Sequence, residues 1–114
     1  MTAARERRAH RPRTCVWELT LACDARCRHC GSSAGRARPG ELDTQEALSL
    51  VADLAALGCE SITLSGGEPL LRRDWPAIAA AVVERGMRLE LVTNGLSTLA
   101  QADAIAAAGF HSVT

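Results

Sequence analysis

Residues 15–21, "CVWELTL", alternate in character. Trp17, Leu19 and Leu21 fall on one side of an extended chain and Val16, Glu18 and Thr20 on the other, which predicts a strand. The pattern then changes period. In "LDTQEALSLVADLAALG" (42–58), Ala47, Leu50, Val51, Leu54 and Leu57 share one helical stripe, with Asp43 and Glu46 spaced as a capping box and Gly58 placed to stop the helix. "SITLS" (61–65) predicts a buried strand. Asp74 is set to cap a second helix that tolerates Pro76 in its first turn, turns Ile78 and Val82 inward and ends at Gly86. "RLELVT" (88–93) predicts a third strand, "STLAQADAIAAAG" (97–109) a third helix ending at Gly109, and "HSVT" (111–114) the start of a fourth strand. Gly58, Gly86 and Gly109 each stand shortly before a strand, as in the αβ loops of a parallel sheet. Strands alternating with helices specify βαβ units, here three strand–helix units and the start of a fourth strand. So few parallel strands do not close a barrel and leave an unpaired edge, so the expectation is the N-terminal part of a larger α/β fold.

Composition narrows the class. An apolar content of 47% with a formal net charge of zero is that of a globular domain rather than a disordered chain. Aromatic residues make up 3%, with no tyrosine, which argues against recognition of nucleic acid by base stacking. Residues 1–14, "MTAARERRAHRPRT", carry five arginines against one glutamate and no apolar run. They predict a disordered basic leader rather than a secretory signal, with the folded domain over 15–114. No apolar stretch is long enough to span a bilayer, so the expected location is the cytoplasm, without membrane partners. In a reducing compartment, clustered thiols are metal ligands or redox groups rather than disulfides.

Such a cluster stands in "CDARCRHC" (23–30), directly after the first strand. A zinc site would require a fourth ligand beside Cys23, Cys27 and Cys30. Cys15 and Cys59 belong at the opposite ends of their strands, where each serves as a small buried apolar residue. His29 is wedged between Cys27 and Cys30 and is poorly placed to ligate the same metal. A thioredoxin-type Cys27-x-x-Cys30 pair would leave Cys23 without a role. Three thiolates suit a four-iron cluster with one iron left open to a small molecule. The other unusual residues follow later strands: "GGEP" (66–69) after "SITLS", and Asn94 after "LELV". In parallel α/β folds these loops gather on one edge, where ligands bind. Asn94-Gly95 also suits a plain turn, and Glu18 and Thr20 suit either a barrel interior or a solvated edge.

Cys-x3-Cys-x2-Cys after a first strand, followed one βα unit later by Gly66-Gly67-Glu68-Pro69, resembles the radical S-adenosylmethionine (radical SAM) superfamily. The resemblance covers roughly residues 15–114 and is most similar to peptide-modifying members of the SPASM type, which carry a further cysteine-rich domain. It implies the first part of a partial (β/α)6 TIM-like barrel. Cys23, Cys27 and Cys30 would hold a [4Fe–4S] cluster whose open iron binds S-adenosylmethionine. Reductive cleavage of that cofactor would give a 5′-deoxyadenosyl radical that abstracts hydrogen from a substrate, in the SPASM subgroup a peptide. His29 takes the place of an aromatic residue beside the adenine. Gly66, Gly67, Glu68 and Pro69 would meet the amino end of the cofactor, and Asn94 faces the same cleft. A flavodoxin- or ferredoxin-type donor would supply the electron. The later barrel segments of the family are absent from these residues, so this chain alone is expected to be inactive. The alternatives from other classes are a non-catalytic Fe–S or zinc-binding module and a thiol redox protein.

Overall fold

The computed structural model describes residues 13–22 and 40–114. Strand β1 (Thr14–Thr20) leads, across the segment containing the cysteines, to helix α1 (Thr44–Ala56). Then come β2 (Ser61–Gly66), a 3₁₀ turn (Pro69–Leu71), α2 (Trp75–Glu84), β3 (Arg88–Leu91), α3 (Ala102–Ala108) and β4 (Ser112–Val113). The strands form one parallel sheet in the order β1-β2-β3-β4. The expected alternation of strand and helix is therefore present, and β1 opens at Thr14, with the Arg13 carbonyl already accepting from Glu60 and Ser61. The remainder of the expected leader, residues 1–12, lies outside the described residues.

Register explains why the sheet has two unlike faces. Cys15 pairs with Ile62, Trp17 with Leu64, Ile62 with Leu89 and Leu64 with Leu91, so these apolar side chains share a face. Ile62, Leu64, Leu89 and Leu91 are buried in one cluster with Ala47 and Val51 of α1 and with Trp75, Ile78, Ala79 and Val82 of α2. The opposite face carries Val16, Glu18, Thr63, Ser65 and Glu90; Val16 there is 68% exposed, and the Thr63 hydroxyl donates to Glu90 at 3.1 Å. Among the described residues, helices cover one side of the sheet and leave a mostly polar side uncovered.

Helix α1 starts with the expected capping box. The Asp43 side chain accepts from the Glu46 amide at 2.8 Å while the Glu46 carboxylate accepts from the Asp43 amide at 3.0 Å. The αβ connections after α1 and α2 are Schellman turns, each with a left-handed glycine. Gly58 donates to Ala55 and Cys59 to Leu54; Gly86 donates to Val83 and Met87 to Val82. Cys59 and Met87, the residues after the glycines, are buried and begin the approach to β2 and β3.

Three expectations are corrected. Leu57, assigned to the helical stripe, is 52% exposed; it is the C-cap of α1, one residue past the end of the helix. Asp74 stands at the N-cap of α2 but makes no side-chain capping bond; its carboxylate is taken by Arg72 and Thr44. Helix α3 spans only Ala102–Ala108, since residues 97–101 form turns and Gln101 is drawn inward. The Gln101 side chain accepts from Trp75 Nε1 at 2.8 Å and donates to the Leu70 carbonyl at 3.0 Å.

Candidate cofactor site

The site is built where β1, β2 and β3 end. Between Glu18 and Thr20 the β1–β2 register shifts, leaving Leu19 without a partner in the ladder. Its carbonyl accepts instead from Arg72 Nη1 at 3.2 Å. The Leu21 amide donates to Glu41 Oε2 at 2.8 Å, and the Ala22 amide to Thr20 Oγ1 at 3.0 Å. From the other side, Gly67 donates to the Thr20 carbonyl at 2.8 Å and Glu68 to the Ala22 carbonyl at 2.7 Å. Every residue from Leu19 to Ala22 is therefore tied down through its backbone, immediately before Cys23.

The glycines of "GGEP" are required by this packing. A Cβ at Gly66 would lie 2.3 Å from the Thr20 carbonyl oxygen, and one at Gly67 would lie 2.3 Å from that of Ala22 and 2.6 Å from that of Leu21. Gly66 also has φ of +123°. The close approach that these two residues permit is to the chain's own backbone at the end of β1.

Glu68 is fully buried. Its Oε2 accepts from the Leu70 amide at 2.9 Å, capping the 3₁₀ turn that Pro69 opens. Its Oε1 accepts from the Thr93 hydroxyl and, at 2.7 Å, from the Asn94 amide. One carboxylate thus clasps the turn after β2 to the turn after β3. Asn94 Oδ1 in turn accepts from the Leu96 amide at 2.9 Å, so the turn reading of Asn94-Gly95 is realised at this edge. Thr20, open between two readings in the sequence, is buried at the β1 exit, while Glu18 pairs in register with Ser65 on the uncovered face.

Arg72 and Asp74 form a two-pronged ion pair, Nε to Oδ1 at 2.7 Å and Nη2 to Oδ2 at 2.6 Å, and Thr44 Oγ1 donates to Asp74 Oδ2 at 2.7 Å. The bond from Arg72 holds the Asp74 carboxyl below its ordinary range, with Thr44 helping and burial opposing. The guanidinium is correspondingly held above its own, first by Asp74, with Glu41 and Asp43 adding to it. Sequence reasoning missed Arg72, Asp74, Glu41 and Thr93 in these roles. The signal available was the Arg-x-Asp spacing just after "GGEP", which permits a fork on a short turn.

Gly66, Gly67, Glu68, Pro69 and Asn94 are thus brought together. Cys23, Cys27, Cys30 and His29 lie outside the described residues, on the segment that begins one residue after Ala22. Cys15 and Cys59 sit towards the opposite ends of their strands, as expected. Burial, and secondarily Cys59, push the Cys15 thiol above its usual range. Among the described residues no group of three or more His, Cys, Asp or Glu side chains is arranged to hold a metal ion, and no helix is long and apolar enough to cross a membrane.

The geometry defines a parallel α/β protein of the partial-barrel class, with its candidate site at the C-terminal strand ends. The chain belongs to the radical SAM superfamily, whose match runs over residues 17–114. It is 43% identical over 81 residues to the Fe-coproporphyrin III synthase of Methanosarcina barkeri, covering 70% of this chain and 20% of that protein. To the PqqA peptide cyclase of Granulibacter bethesdensis it is 39% identical over 80 residues, covering 69% of this chain and 21% of that protein. The crystal structure of BtrN in complex with AdoMet and 2-DOIA superposes with a TM-score of 0.74 at 23% identity, covering 90% of this chain and 44% of that one, a likeness of fold. The chain spans about a fifth of the length of the two curated relatives.

Proposed function

We propose that these residues are the cluster- and cofactor-binding portion of a radical SAM enzyme, with Cys23, Cys27 and Cys30 as ligands of a [4Fe–4S] cluster. The observation that carries the reading is the pair of bonds from the Gly67 and Glu68 amides to the Thr20 and Ala22 carbonyls. They seat the glycine-rich turn against the residue that precedes Cys23. A donor set of three thiolates on one segment fits a four-iron cluster with an open iron. When bound, cluster and S-adenosylmethionine would supply one-electron cleavage of a carbon–sulfur bond, yielding a 5′-deoxyadenosyl radical for hydrogen abstraction. The protein's part is to hold and orient them. The backbone of Gly66 and Gly67 meets the amino end of the cofactor, Glu68 fixes that turn and Asn94 borders it, and His29 packs beside the adenine. The electron comes from a flavodoxin- or ferredoxin-type donor in the cytoplasm. The substrate is a peptide, a reading supported by the likeness to the PqqA peptide cyclase. A second reading, a reaction that yields an iron porphyrin, is favoured by the higher identity to the Fe-coproporphyrin III synthase.

Anaerobic reconstitution with iron and sulfide tests the proposal. The chain is expected to take up about four irons, with broad visible absorption, and to lose them when Cys23, Cys27 or Cys30 becomes Ala. Cys15→Ala and Cys59→Ala should keep the cluster. S-adenosylmethionine should change the electron paramagnetic resonance spectrum of the reduced cluster. Stoichiometric zinc in place of iron would overturn the proposal in favour of a zinc module, and a cluster indifferent to the cofactor would leave an electron carrier.

A further inference from the structure

We infer that Arg72 and Glu41 are positioning residues for the cysteine-bearing segment, acting through the backbone of Leu19 and Leu21. The inference rests on the radical SAM reading above and deepens it. The bulge in β1 removes Leu19 from the β1–β2 ladder. Leu19 is 2% exposed, so its carbonyl needs a donor from elsewhere in the protein. Arg72 provides one, and it is not free to wander, because its other two nitrogens are held by Asp74. Asp74 is itself tied to Thr44 at the first residue of α1. The position of the β1 exit is thereby fixed against two helices at once. Glu41 does the complementary work on the donor side, taking the Leu21 amide.

These side chains bond Leu19 and Leu21, two of the four residues that precede Cys23. Ligand supports that act at one remove commonly change metal retention by about tenfold or more, and a site must be held within about 0.5 Å to function well. Lysine at position 72 would keep the charge but lose the planar fork that bonds Asp74 through two nitrogens while a third reaches Leu19. Glutamine at position 41 keeps an oxygen for the Leu21 amide, whereas alanine does not.

The experiment has two readings and one stability-matched control. In the metal-free chain, hydrogen exchange at the Leu21 amide should quicken in Glu41→Ala and stay close to wild type in Glu41→Gln. In the reconstituted chain, Arg72→Ala and Glu41→Ala should release iron to a chelator about tenfold faster than wild type. Arg72→Lys should fall between and Glu41→Gln should match wild type. The control is Gly58→Ala, which strains the turn after α1 and lowers the melting temperature without touching the β1 exit. A purely structural role for Arg72 and Glu41 predicts iron loss no faster than in Gly58→Ala at equal distance below the melting temperature. That result overturns the inference while the cluster reading stands. A wild-type chain that takes up no iron removes the reading and the inference together.

Discussion

Three donors converge on the Glu68 carboxylate: the Leu70 amide, the Thr93 hydroxyl and the Asn94 amide. A neutral isostere cannot serve them all, because one end of a glutamine carries hydrogens. Glu68→Gln should therefore cost about 2 kcal/mol in urea unfolding, the scale of bonds made to a charged group or of a buried donor left unpaired. Thr93→Val, which removes a single donor and leaves Oε1 with the Asn94 amide, should cost about 1 kcal/mol. Gly67→Ala is expected to be worse than either, since its Cβ would meet fixed backbone oxygens of Ala22 and Leu21 rather than a side chain that could turn away. At this scale the sequence was half legible. Gly66 to Pro69 stood out as a tetrapeptide after a strand, but their partners did not. Two of the three donors to Glu68 come from residues 25 and 26 positions further on, a separation that no local pattern encodes.

Among the elements, those governed by local chemistry matched the reading best. The Asp43–Glu46 box and the glycines at 58 and 86 act within a few residues of themselves. Gly86 has φ of +76° with nothing within 4 Å of a built Cβ, so Gly86→Ala isolates the cost of a left-handed backbone. About 1 kcal/mol is expected, with an unchanged denaturant slope. Gly66→Ala should exceed it clearly, because the positive φ is joined there by an overlap with the Thr20 oxygen. Elements decided by distant partners were read less well. Asp74 looks like a helix cap until Arg72 and Thr44 claim it with charge-assisted and hydroxyl bonds. The alanine-rich run 97–109 has the propensity of a longer helix, yet Gln101 is drawn between Trp75 and Leu70, and the residues before it turn instead.

Over the whole molecule, the parallel α/β layout was legible because each strand–helix unit repeats the same change of period and the same closing glycine. That the loops after β2 and β3 gather at one edge followed from topology alone, whereas the bracing behind that edge depends on a register shift invisible in the pattern. That bracing joins β1, α1 and α2, and it should show in acid. The folded Asp74 carboxyl titrates below its ordinary range, chiefly through Arg72. Its stabilisation is thus fully present above about pH 4, the unfolded carboxylate value, and is lost as the pH falls through the lower folded value. Asp74→Asn should be less stable than wild type at neutral pH, with the gap narrowing below about pH 4 in thermal melts taken across that range. The bond from the Leu21 amide to Glu41 has a consequence of another kind. It brings together two points separated by 20 positions, so a single carboxylate couples the end of β1 to the approach to α1, and its loss should loosen both of those described stretches together rather than either one alone.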